Sequence, residues 1–373
     1  MTLTFSEWAQ LQVSRKIFTV DITLLASTNT TLRVASSSGV WDGSNYYEGA
    51  VAGLPSFSRS IKGLAFGSTQ ASFGTLTLNN GDGWLDSYLE DYNWVGADIT
   101  IKVGGPALDY SSWPTVISAY IKNIILDDEF VRCQIADKTT KLLRNRIASN
   151  TWNGSKVYAI VDDILTECGI GSGDRDSTLW TQFETDANMT AYVETDGTEA
   201  ASTLLDRILP PLMFWYGFSR TGLFQVALLR TASSGDYTLQ KDVDEMTAGK
   251  YPYDKHYWKI NVSYISTTPD TRTIVSQSDS SIKTNYPLAM ESGVKDTVLD
   301  NETDANTTLT RWWDMLHVRR WVVKTGLKAQ GWGLGIGDAF TLTRSRLGVS
   351  GSFRIVSVDE DFDNSVIVLE GLQ

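Results

Sequence analysis

The most reactive side chains in the sequence are few: two cysteines, Cys133 and Cys168, and two histidines, His256 and His317. Cys168 with either histidine would supply a thiol nucleophile and its base. The local pattern speaks against that pairing. Cys168 falls on the apolar face of a predicted helix, where a free thiol behaves as a small buried hydrophobe, and His317 closes another predicted helix beside Arg319-Arg320. Neither cysteine lies in a CxxC or a Cys/His cluster, so zinc, redox chemistry and a disulfide framework are not expected.

Carboxylates come in pairs at Asp127-Asp128, at Asp359 and Asp361, and at Asp82 and Asp86. A glycosidase sets two such groups about 5 to 10 Å apart across a cleft. Here they fall in predicted turns, where aspartate accepts local backbone hydrogen bonds, and no EF-hand loop is present. Gly331, Gly333, Gly335 and Gly337 lack the G-x-G-x-x-G spacing of a phosphate loop, and a strand rather than a helix follows them. No catalytic, cofactor-binding or metal-binding set is therefore assigned. The remaining candidates are aromatic. Of 13 tryptophans, Trp8, Trp41, Trp84, Trp94, Trp113 and Trp332 are candidates for subunit contacts, because aromatics are enriched in interfaces; core packing and a sugar platform are the rival readings.

The net charge of −12, from 44 acidic and 32 basic residues without a basic block, disfavours gripping a duplex. Met1–Lys16 lacks the order of a signal peptide, and the longest apolar run, Leu212–Phe218, is far below the roughly 20 residues that span a bilayer. A soluble chain made in a cytoplasm, without a membrane span, is expected.

The elements that would position these residues are mostly strands. Phe18, Val20, Ile22 and Leu24 alternate with polar residues, as do Ile99, Ile101 and Val103. A hairpin joins Val116–Leu126 to Phe130–Ala136 across Asp127-Asp128-Glu129. The period then changes: Val157, Ile160, Val161, Ile164, Leu165 and Cys168 predict a helix that stops at Gly169. A second helix runs from a Thr198 cap to Leu209 and ends at Pro210-Pro211. Ser266–Asp300 shows no apolar period and reads as a long loop or short exposed strands. Asn301 with Asp304 predicts a third helix, about 302–317. Strands return at Arg319–Thr325, Ala339–Thr343, Phe353–Val358 and Ser365–Leu369.

This pattern predicts a mainly β protein with an α/β insertion: an N-terminal arm (1–15), a first β-barrel or sandwich (16–146), an α/β domain (147–238), and a second β domain (239–373) carrying the third helix. Trp94–Ile101 and the hairpin after it resemble Leu334–Thr341 and the hairpin Phe353–Leu369. A duplicated barrel and chance similarity between short β segments both fit that match.

The order of three segments resembles the hub proteins of phage tail tips and baseplates, and those of gene-transfer agents. They are Phe73–Asp86 leading to Trp94-Val95-Gly96 and Ile99–Val103; the block Val157–Gly169, Gly197–Leu209 and Thr221–Phe224; and Gly337–Thr343 with Leu347-Gly348, Phe353–Val358 and Val366–Leu369. The lack of an assembled catalytic set predicts no enzyme activity or cofactor, and the resemblance implies two tail-tube-like β-barrel domains per chain and a homotrimer of pseudo-sixfold symmetry. It further implies a place at the virion's tail tip after assembly in the host bacterial cytoplasm. The implied neighbours are a distal tail or tail tube protein, a tape measure protein and a central tip or fibre protein, with phage DNA passing through the channel. A carbohydrate-binding module or cell-wall glycan hydrolase is the alternative.

Overall fold

Alternating apolar residues put Phe18, Val20, Ile22 and Leu24 of strand β1 (Ile17–Leu25) into the core. The computed structural model describes residues 16–61, 67–232, 237–239, 245–252, 256–266, 271–327, 334–344, 346, 348–362 and 366–373. The predicted arm 1–15, with Trp8, and Gly331, Trp332 and Gly333 lie outside the described residues. After β1 come β2 (Thr30–Ala35), the short pair β3 (Val40–Trp41) and β4 (Tyr46–Tyr47), and β5 (Val51–Gly53). The hairpin β6 (Phe57–Ile61) and β7 (Gly67–Phe73) follows, then β8 (Thr75–Asn79), β9 (Asn93–Gly104), β10 (Thr115–Leu126) and β11 (Phe130–Ala136). Seven of these form one sheet in the order β2-β1-β9-β10-β11-β8-β5.

The predicted turn between β10 and β11 is built as its residues dictate. The Asp127 carboxylate accepts the Glu129 amide at 3.1 Å and the Phe130 amide at 2.8 Å, and it pairs with Arg132. These bonds hold its carboxyl below the usual range.

The middle of the chain adds β12 (Asn150–Lys156), β13 (Thr190–Thr195), β14 (Phe214–Phe218) and β15 (Phe224–Leu228), with helices around them. The first predicted helix spans Val157–Glu167, and Gly169 ends it in the left-handed region at φ 71°. The second spans Ala201–Ile208, and the proline pair turns the chain into a short 3-10 segment, Pro210–Leu212. Thr198 is not its cap: Ala200 holds that position, while the Thr198 amide and hydroxyl bond the Asp196 carboxylate at 2.9 and 2.6 Å. A helix over Ser177–Asp186 was not expected; Asp176 caps it by accepting the Leu179 amide at 3.1 Å. These elements share a core around Phe183, Leu204, Leu205, Phe214 and Phe218.

The last part contains β16 (Tyr237–Thr238), β17 (Glu245–Pro252), β18 (Tyr257–Ile265), β19 (Arg272–Ser278), β20 (Met290–Asp296), β21 (Trp321–Leu327), β22 (Ala339–Arg344), β23 (Val349–Asp361) and β24 (Val366–Leu372). The segment without apolar period thus holds two exposed strands, β19 and β20, which flank β18 in a small sheet. The third predicted helix is Glu302–Leu316; Asn301 caps it by accepting the Asp304 amide at 2.9 Å.

A ten-stranded sheet carries the order β15-β14-β7-β6-β23-β24-β21-β17, with β22 beside β23 and β16 beside β22. The chain is mainly β. Its largest sheet takes strands from all three sequence segments, because the hairpin β6–β7 leaves the first part to lie between β14 and β23.

Candidate functional site

Two features of this sheet system go beyond packing: a repeated strand arrangement, and a buried ionic joint where the parts meet. The order β5-β8-β11-β10-β9 in the first sheet matches β17-β21-β24-β23-β22 in the second, strand for strand along the chain and always antiparallel. The registers agree as well. Tyr120 faces Ala136 and Leu126 faces Val131, while Arg354 faces Leu372 and Glu360 faces Ile367. Register shifts, which mark β-bulges, fall at corresponding places: Ile121/Asn123 with Ile355/Ser357, and Val51/Gly53 with Glu245/Thr247. A bulge costs a ladder bond and re-aims the strand, so two coincident ones in two similar ladders are strong internal symmetry. The ladders set the copies one residue out from the sequence match, since Asp98 faces Tyr120 and Ala339, not Asp338, faces Arg354. The Gly-Asp turns match in sequence, but the backbone pairing aligns Asp98 with Ala339.

The joint forms where the β6–β7 hairpin, the 219–222 turn and β23 converge on the start of β10. Ser118 donates its amide to the Arg220 carbonyl at 2.6 Å, linking first sheet to turn. Arg220 donates to the Glu360 carboxylate at 2.7 Å, linking turn to β23. Burial raises the Glu360 carboxyl to about 7 despite the Arg220 charge, and its second oxygen has no hydrogen-bond partner. Arg59, on β6, is also buried; it donates to the Gln225 amide oxygen at 3.0 Å and stands over the Trp215 ring. Desolvation lowers its guanidinium to about 10. Gly217 lets β7 come this close to β14, because a side chain there would occupy the space of Thr69. A cavity of about 360 Å³ beside the joint is lined by Arg59, Thr115, Arg220, Asp338 and Glu360. Breaking one partner of such a buried pair leaves an uncompensated charge, which costs about 3–5 kcal/mol. The joint therefore fixes the parts relative to one another. Sequence reasoning did not single out Arg59, Arg220 or Glu360; an isolated charge on a strand, at the alternating position that should be apolar, was the available signal for Arg59 and Glu360.

The sequence candidates scatter. Trp94 and Trp113 are buried in the chain's own core, Trp84 is half-buried with its indole donating to the Asn79 carbonyl at 3.0 Å, and Trp41 is 57% exposed. Cys168 is buried at the end of its helix, and burial raises its thiol. His317 stacks on Trp313, and His256 bonds the His317 carbonyl at 2.9 Å. The Asp82 carboxylate accepts the Trp84 amide at 3.4 Å, while Asp86 accepts from the Asn80 side chain at 2.9 Å. Among the described residues no group of three His, Cys, Asp or Glu side chains is placed to hold a metal, and no helix is long and apolar enough to cross a membrane.

No protein-family model matches the sequence, and no curated protein matches it. Solved structures do. The tail protein from Neisseria meningitidis MC58 superposes with a TM-score of 0.55 at 9% identity, over 95% of this chain and 96% of its own. This chain has a prophage tail-protein fold. The 43 kDa tail protein of prophage MuSo2 from Shewanella oneidensis matches with a TM-score of 0.51 at 13% identity, covering 96% of this chain and 98% of that one. Prophage tail protein gp18 from Listeria monocytogenes EGD-e matches with a TM-score of 0.50 at 9% identity, over 95% and 94%. The tail-protein fold thus extends over nearly the whole chain, including the joint.

Proposed function

We propose that the protein is a non-enzymatic structural component of a phage tail, acting as a trimeric hub at the tail tip or baseplate. The observation that carries this reading is the repeated five-strand unit, with matching registers and bulges, in a chain that has the prophage tail-protein fold. Two equivalent units per chain give three chains six quasi-equivalent positions. Such a ring adapts a sixfold tail tube to a threefold tip, meeting a distal tail or tube protein on one side and a central tip or fibre protein on the other, with the tape measure protein anchored within. In this reading the two units are the cores of two barrel domains, within 16–146 and 239–373, with the joint between them. The net charge of −12 suits a channel that phage DNA must traverse without sticking. Trp41 and Trp84 keep aromatic surface available for subunit contacts. Electron microscopy of the particle with a label on this chain tests the reading. Density at the distal end of the tail is expected, and a label in the head or spread along the tube overturns it.

A further inference from the structure

The internal repeat has one conspicuous mismatch, and it identifies a docking edge. In the second unit, Ser357–Glu360 of β23 pairs on one side with β24 and on the other with β6, Glu360 facing Phe57 and Val358 facing Arg59. By the matched registers, the corresponding residues of the first unit are Asn123–Leu126 of β10. Among the described residues these pair with β11 alone. The ladder to β9 ends where Tyr120 faces Asp98, and among the described residues no strand continues it. An edge of unpaired amides and carbonyls is a template for another strand. Its side chains agree: Ile125 is 46% and Leu126 is 53% exposed, whereas Glu360, in the position of Leu126, is buried.

We propose that Asn123–Leu126 receives a strand from a second copy of this chain, and that the strand is β20, Met290–Asp296. The repeat selects the donor. The hairpin β6–β7 is inserted between β5 and β8, and the hairpin β18–β19 is inserted between the equivalent strands β17 and β21. β6 offers to β23 the side not used by β7. The same side of β18 carries β20, which runs parallel to β18 and so presents the next free edge in the same direction. It would therefore lie antiparallel to β10, as β6 lies to β23. β20 also exposes apolar residues on one face, Met290 and Val294, to meet Ile125 on the outer face of β10. Within one chain the first hairpin completes the second unit; between chains the second hairpin's sheet completes the first unit of its neighbour. This assignment rests on the ring reading above and names the contact that would close it.

The test uses the full chain with cysteines at both edges, Ile125→Cys with Val294→Cys, the native Cys133 and Cys168 being buried. Mild oxidation is expected to give covalent multimers of the double variant, resolved without reductant on a denaturing gel. A mixture of the two single variants should give a heterodimer. Ile125→Lys with Leu126→Lys should weaken self-association, read by analytical ultracentrifugation, by roughly tenfold or more, with an unchanged melting temperature because both side chains are exposed. A chain that forms a three-copy ring without the 125–294 cross-link, and ignores the lysines, overturns this strand assignment and leaves the ring. A chain that remains monomeric at every concentration and does not cross-link overturns both.

Discussion

Replacing Glu360 with glutamine removes a buried carboxyl of the joint whose titration burial raises to near neutral pH. Folding holds that group up to about 7, against an ordinary 4.5, because burial penalises its charge more than Arg220 supports it. Between those values the folded chain keeps a proton that the unfolded chain has lost. The stabilisation is fully present below 4.5 and is lost as the pH rises through 7. Integrated between about pH 5 and about pH 8, the difference is roughly 2–3 kcal/mol. Glutamine carries no charge at either pH, and its amide oxygen can still accept from Arg220. The stability of Glu360→Gln relative to the wild type should therefore rise by that amount from the acid to the alkaline buffer, whatever its constant offset. Asp21 and Asp137, also raised by burial, are the same in both proteins and cancel. Urea unfolding followed by tryptophan fluorescence at the two pH values measures it. A difference that is flat, or that falls with rising pH, refutes the account of a desolvated carboxyl.

Three other outcomes follow from local geometry. Gly104→Ala places a methyl group inside the Trp113 indole and should destabilise the first sheet by about 1–3 kcal/mol, seen as a lower melting temperature. Asn301→Ala removes the acceptor for the Asp304 amide and the donor to the Thr190 hydroxyl and the Asp304 carboxylate, and should cost about 1 kcal/mol or more in denaturant unfolding; Asn301→Asp, which keeps the acceptor but sets a carboxylate against Asp300 and Asp304, should not recover it. Neither cysteine should react with a thiol reagent at neutral pH in the folded chain: both are buried, and burial pushes the Cys133 thiol up to about 12. Both thiols should titrate after unfolding.

What the sequence made legible was whatever its signals specify locally. Asn301 with Asp304 predicted a cap because one side chain and one amide suffice to make it. The turn at Asp127 and the stop at Gly169 were legible for the same reason. The helix Ser177–Asp186 was missed because much of it faces solvent and its buried side chains are few. β19 and β20 carry no apolar alternation to be read, because each bears mostly exposed residues. The joint was illegible for a different reason. Arg59, Arg220 and Glu360 lie far apart in sequence; the pairing of β6 with β23 brings Arg59 to the strand of Glu360, and the turn after β14 brings Arg220 to its carboxylate. The repeat lay between these extremes: its hairpins were visible as a pattern, but its register needed the ladders.

The placement of β6–β7 also bears on how the chain comes to be folded. Its partner strand β23 lies near the opposite end of the sequence, so a ribosome adding roughly 5–20 residues per second delivers that partner on the order of tens of seconds after the hairpin. Throughout that interval Phe57–Ile61 has an unmatched backbone edge and a buried-type arginine with nothing to bury it. The first unit can collapse on its own strands early, but the joint cannot set until β23 has been made. A rearranged gene in which β23 is translated closer to β6–β7 would shorten this waiting time while keeping their native pairing, and should alter the yield of folded protein more than its stability.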